Sequence, residues 1–224
     1  MSHKHYTDEM VDLRCESFAT QTIRWPVAGR HILAQYDAET IVVYQAYRPE
    51  IGRFAAEHGY FGGEFSLRRM SWIKPNFLWM MYRSGWARKP GQEIVLAIWL
   101  DRSGFDEIIA AAVPSTHDTA RYPDRRAWQD AVHRSDVRLQ WDPDHGPGGE
   151  PLERRAIQLG LRGRVLASYA RPWIQKIEDV TPFVRAQYDA MARGDIAALT
   201  TPTEHVYRCV PATAEALQLD HWDP

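Results

Sequence analysis

Cysteine is scarce in this chain: two residues, Cys15 and Cys209, lie near opposite ends of 224. No CxxC pair exists, so zinc-ribbon and dithiol redox motifs are excluded. A disulfide joining the ends is one arrangement; reduced thiols, as in a cytosolic protein, are the expected one. Long apolar runs are missing too, and none approaches the roughly 20 residues of a membrane span. The opening MSHKHYTDEMVDLRCESF has no apolar segment of the kind a secretory signal needs. We therefore expect a cytoplasmic protein with no membrane partner. Net charge is only −2, which gives no global polyelectrolyte signal for nucleic acid. Walker A, GxGxxG, GxSxG and HExxH motifs are all absent, as are internal repeats and low-complexity linkers.

Tryptophan, by contrast, is plentiful, with nine residues. Each is costly to place, because the ring is large and its N–H wants a partner when buried. The remaining composition is that of an ordinary globular chain able to bury a core without staples. ETIVVYQAY (39–47) and EIVLAIWL (93–100) read as strands. RPEIGRFAAEHG (48–59) reads as a helix, with Pro49 suited to its first turn and Gly59 to its stop. NFLWMMYRSG, GFDEIIAAAV and PDRRAWQDAVHRS also read as helices, VRLQWDP as a strand, and RRAIQLGLRG, with two glycines, as a strand. Residues 165–193 read as largely helical, interrupted near Pro172 and Pro182. Helices and strands mix without strict βαβ alternation, which predicts an α+β fold with a mixed or mainly antiparallel central sheet and flanking helices. We expect an arm over 1–22, a single domain over 23–195, and an irregular extension over 196–224.

Charge is segregated along the chain. Phe65–Gln92 holds six basic residues and no acid, and Arg154–Ile177 holds six more and no acid. Converging by folding, the two blocks would form a positive cleft on a near-neutral protein. The stretch RMSWIKPNFLWMMYRSGW (69–86) lies in the first block. Asn76 is a good N-cap following Pro75. On the helix after it, Phe77, Met80, Met81 and Ser84 share a core-like face, while Asn76, Trp79, Arg83 and Trp86 share another. Lys74 stands just before the helix start, where the macrodipole disfavours a cation unless an anion is present. That places a phosphate or carboxylate near Arg69, Trp72, Lys74, Asn76, Trp79 and Arg83, with Gln140 and Arg155 expected within reach. The alternative is that these cations snorkel and the indoles are core.

QWDPDHGPGGEPLERR (140–155) is the second candidate. Asp142, Asp144 and His145 end a predicted strand and feed an irregular loop. Asp144 with His145, or the lone Glu153, are candidate catalytic groups. The spacing matches no compact metal signature, so no metal is expected.

The phrases MSWIKPNFLWMMYRSGW and QWDPDH, within similar stretches spanning 23–187, resemble domain of unknown function family 4291. That resemblance implies one small domain and brings no established activity. A strand ending in Tyr44, Gln45 and Ala46, followed by a helix closing on Gly59, is similar to the opening of the ADP-ribosyltransferase superfamily. That similarity implies a split sheet cradling NAD, with Tyr44 and Gln45 at the cofactor and Glu153 as the acid. No His-Tyr-Glu or Arg-Ser-Glu set accompanies them. The first reading is thus a nucleotide-dependent transferase binding NAD or a related phosphorylated ligand, with a nucleic acid, protein or small molecule as acceptor. The second is a single-stranded nucleic-acid-binding domain without chemistry, since basic residues interleaved with aromatics are its footprint. In the third, the tryptophans are simply core.

Overall fold

Two apolar runs, one on either side of the first basic block, build the centre of the molecule. The computed structural model describes residues 13–223. The chain opens with β1 (Cys15–Ser17), α1 (Phe18–Thr22), β2 (Gly29–Arg30) and β3 (Leu33–Ala34). Next come β4 (Thr40–Tyr47), α2 (Pro49–His58), β5 (Ser71–Ile73), α3 (Phe77–Ser84), β6 (Ile94–Asp101) and α4 (Arg102–Ala110). They are followed by β7 (Ala112–Pro114), α5 (Arg125–Arg134), β8 (Val137–His145), β9 (Pro151–Leu161), α6 (Gly163–Tyr169), β10 (Ile174–Asp179) and α7 (Thr181–Ala192). The chain closes with β11 (Thr200–Pro202), β12 (His205–Val206) and α8 (Pro211–Leu217).

The architecture is α+β, with two main sheets. One is antiparallel, in the order β10-β6-β4; the other is mixed, in the order β2-β9-β8-β7, with β5 also paired to β9. Strands β4 and β6 lack the usual apolar–polar alternation because both of their faces are covered. Ile41, Val43, Leu96 and Ile98 pack with Leu139, Ile157 and Leu159 of the mixed sheet. Val42, Tyr44, Val95 and Ala97 face the other way, against Phe77, Met80 and Met81 of α3 and Val184 of α7.

Three segments differ from expectation. Within the stretch expected to be helical, IQKIED forms β10 on the open edge of β6. That pairing is long-range, and local periodicity carries no trace of it. The described part of the expected arm forms β1 and α1, with Cys15 opposite Pro202 in β11; the arm's first twelve residues lie outside the described residues. The expected irregular extension holds β11, β12 and α8, and β12 pairs with β3. Residues beyond 195 therefore belong to the packed domain. Cys15 and Cys209 both carry free thiols.

α3 carries the site, and its start is fixed from two directions. Asn76 Oδ1 accepts from Trp79 N at 2.7 Å, the ordinary cap. Glu204, after β11, accepts from Phe77 N at 2.6 Å and from Asn76 Nδ2 at 3.3 Å. Burial pushes the Glu204 carboxyl up to about 8, against the pull of the Phe77 N–H. Asn76→Ala is expected to cost about 1–2 kcal/mol in urea denaturation. Asn76→Asp, normally an equal cap, is expected not to rescue it, because an Asp side chain cannot donate to Glu204 as Asn76 Nδ2 does and would bury a charge beside it. Full recovery by Asp would contradict the arrangement.

Candidate functional site

The two sheets touch through one backbone pair. Tyr44 N donates to Lys74 O at 2.7 Å, and Lys74 N donates to Tyr44 O at 3.2 Å. Beyond that bridge β4 and β5 part, and side chains take over from the ladder. Gln45 Nε2 donates to Ser71 Oγ at 2.8 Å and to Trp72 O at 3.0 Å, while its Oε1 accepts from Tyr169 OH at 2.6 Å. Tyr47 OH and Ser71 Oγ lie 2.7 Å apart. The opening leaves a cavity of about 480 Å³, lined by Gln45, Ala46 and Tyr47, by Arg69 to Trp72, and by Lys74, Met80, Arg83, Gln92 and Gln158. That volume lies within the usual range of small-molecule sites. Gly160 of β9 lies under two lining side chains: a Cβ there would meet Met70 Sδ at 2.7 Å and the Trp72 ring at 3.0 Å, so both lie over a strand position with no side chain.

The lining contains three cations and no carboxylate. Lys74 is only 4 % exposed. Its ammonium makes no hydrogen bond or ion pair with any described residue and is not among the fully enclosed polar atoms, so it opens onto the cavity. Burial first, and then the Arg83 charge, pushes the Lys74 amine down to about 8, while Asp142 pulls the other way. Asp142 is held by Gln140 Nε2 at 2.8 Å and Gln158 Nε2 at 2.7 Å. Arg69 and Arg83 are exposed and likewise have no ion pair among the described residues. With the Gln92 amide turned so that its oxygen faces the guanidinium, Arg83 Nη1 donates to it at 3.1 Å.

Of the predicted residues, Gln45, Arg69, Trp72, Lys74 and Arg83 meet at this cavity. Gln45 is spent on structure, since both ends of its amide are engaged. Tyr44 is not a ligand contact: its side chain is fully buried against Phe77, and only its backbone serves the site, by anchoring Lys74. Asn76 is a cap. Trp79 is buried and stacks on His145 and Tyr82, so it presents no face to the cavity. Trp86 follows the helix stop at Gly85 with φ 56°, so it leaves the face that helical spacing gave it.

The second basic block does not converge on the first. Arg154 is buried in an ion pair with Asp144, Arg162 pairs with Asp136, and Arg171 lies over Tyr60. Arg155 is three residues from Gln158 on β9 and so points to the opposite face. Gln140 lines a different cavity, with His117 and Trp141, and reaches the cationic one only through Asp142. Glu153 lines a third, with Trp25 and Leu78. Asp144 is locked to Arg154. The His145 ring stacks on Tyr82 at 3.5 Å between centroids, and burial lowers its pKa against the pull of Asp144. These three groups are therefore not beside Lys74. Sequence reasoning missed Met80 and Gln158 as lining. Met80 sat on the face assigned to core, and Gln158 has no local signal; only the β5–β9 register brings it near Lys74.

Among the described residues no three His, Cys, Asp or Glu side chains converge as a metal site, and no helix is long and apolar enough to cross a membrane. An α+β domain with a cationic cavity at the seam of two sheets is the class defined here. The chain belongs to the DUF4291 family, a domain of unknown function whose model matches residues 31–207. Comparison with curated proteins returns no match.

Proposed function

We propose that the seam cavity binds a phosphorylated, nucleotide-like ligand, and that the protein is a nucleotide-dependent transferase of the ADP-ribosyltransferase kind, with NAD the expected ligand. One observation carries this reading: Lys74 is buried, charged at neutral pH and unpaired, beside two further cations and no lining acid. An anion is the group that such a set lacks. Arg69 and Arg83 would offer planar donors to phosphate oxygens, and the half-buried Trp72 ring would offer a stacking surface. Asp142 is the acid whose charge reaches Lys74, but it stands behind the lining residue Gln158 and so would position that side chain rather than take the role expected of Glu153 or of Asp144 with His145. The nucleic-acid reading loses support from the indoles: Trp79 and Trp86 are buried, whereas single-strand binders keep a row of open aromatic faces.

The test is thermal unfolding with NAD, ADP-ribose, inorganic pyrophosphate or a short RNA. A phosphorylated ligand near a hundredfold of its Kd is expected to raise Tm by about 5–10 °C. Arg83→Gln is expected to shrink that shift. A shift with RNA and none with any small phosphate would overturn the proposal in favour of a nucleic-acid module.

A further inference from the structure

Lys74 has a property that phosphate binding alone does not need. Anion-binding lysines commonly work from the rim of a site, fully protonated and hydrated. Here the amine sits at the floor, 4 % exposed and without a hydrogen-bond partner among the described residues. Arg83 stands beside it on α3, Arg69 lines the same cavity, and Met80 and Ala46 supply apolar walls. A desolvated lysine next to a second cation is the environment that turns an ammonium into a free amine. The Arg side chains stay charged whatever happens to Lys74, so the cavity offers an anion subsite and a nucleophile together.

We propose that the Lys74 ε-amine is a nucleophile that condenses with the carbonyl carbon of a phosphorylated aldehyde or ketone held by Arg69 and Arg83. The nitrogen lone pair forms the C–N bond, the C=O π pair moves to oxygen, and one proton passes from nitrogen to that oxygen to give a carbinolamine, whose hydroxyl then takes a second proton from solvent. That oxygen then leaves as water, so the product is an imine protonated on nitrogen, and no oxidant or reductant is consumed. Water returning to the same carbon reverses the step. This inference rests on the anion-binding reading of the same cavity, and it takes a phosphorylated carbonyl compound, such as the open-chain form of a sugar phosphate or of ADP-ribose, in place of intact NAD.

The charged and titratable groups facing Lys74 are Arg83 from α3, Asp142 from β8, Tyr47 from β4 and Arg69 from the loop before β5. Burial holds the Tyr47 phenol well above its ordinary range, so it stays neutral through the working range. An amine at about 8 has roughly two hundredfold more of its neutral form at pH 7.5 than an ordinary lysine. The chain has only three other lysines, Lys4, Lys89 and Lys176, so selectivity is easy to read.

The experiment treats the full chain with pyridoxal 5′-phosphate, reduces the imine with borohydride, and maps the adduct by mass spectrometry. A parallel arm uses pyridoxal without its phosphate, and another adds excess inorganic pyrophosphate. We expect one adduct, on Lys74, forming at least about tenfold faster with the phosphate than without it. Its rate should level off above pH 8, pyrophosphate should slow it, and Lys74→Arg should abolish it. Comparable labelling of Lys89 or Lys176 would overturn the inference. Pyrophosphate raising Tm with no adduct on Lys74 would also overturn it, leaving Lys74 as an anion donor and the proposed function standing. Failure of both pyrophosphate and pyridoxal phosphate to bind would remove the two readings together.

Discussion

Replacing Arg154 with methionine is expected to destabilise the protein by about 3–5 kcal/mol. Arg154 and Asp144 have side chains only 7 % and 2 % exposed. The guanidinium donates to Asp144 Oδ2 from Nε at 2.8 Å, approaches it from Nη2 at 2.6 Å, donates to Pro26 O from Nη1 at 2.6 Å, and lies over Trp25. Methionine fills much of the volume and satisfies none of these acceptors. Burial already raises the Asp144 pKa against the pull of Arg154, and removing Arg154 raises it further. The sign of the pH dependence follows. A carboxyl whose folded pKa lies above its unfolded value penalises folding at neutral pH, and that penalty fades as pH falls through the folded pKa. Urea denaturation at pH 7 and pH 5 is therefore expected to show a smaller deficit at pH 5. A loss under about 1 kcal/mol at pH 7 would mean that the pair is not a buried, mutually dependent one.

Lys74→Met is expected to do the reverse in the absence of ligand, stabilising the protein by about 2–3 kcal/mol at pH 7. The folded amine lies at about 8, below its ordinary 10.5. Below pH 8 both states carry the proton, and the cost of burying the charge is fully present. Between pH 8 and 10.5 the unfolded chain holds the proton that the folded one has released, so wild-type stability rises through that window. The advantage of the methionine variant should therefore disappear by about pH 10.5. The same substitution is expected to abolish the ligand-induced rise in Tm. A variant several kcal/mol less stable than wild type at pH 7, or a difference that does not change with pH, would identify Lys74 as ordinary core.

The parts of the fold that were legible in the sequence are those whose signal is local. β4 and β6 are apolar runs of strand length, α2 has Pro49 at its start and Gly59 at its stop, and α3 has Asn76 as its cap. β10 was not legible, because IQKIED becomes a strand only by pairing with β6. The cationic stretch before and along α3 was found because missing acids and a cation at a helix start are visible in one dimension. Which of its residues face the cavity was not visible. A helix eight residues long has few turns with which to separate faces, and here the tryptophans face inward while Met80 and Arg83 face the cavity. The second basic block misled for a similar reason. Arg154 and Arg155 are sequence neighbours, but a strand sends one to a buried ion pair and the other to solvent.

Glu204 has a consequence for how the chain comes into being. Its carboxyl group receives the Phe77 N–H, its backbone N–H meets Gln21, and its carbonyl receives the Trp25 indole. The helix that carries Arg83 is thus completed by a residue translated 121 positions after Arg83 itself. While the chain is still on the ribosome, every residue that lines the cavity can be present and the first turn of α3 still has no such acceptor. The helix that holds Arg83 in place is therefore secured only after nearly the whole protein has emerged, later than any residue that lines the cavity.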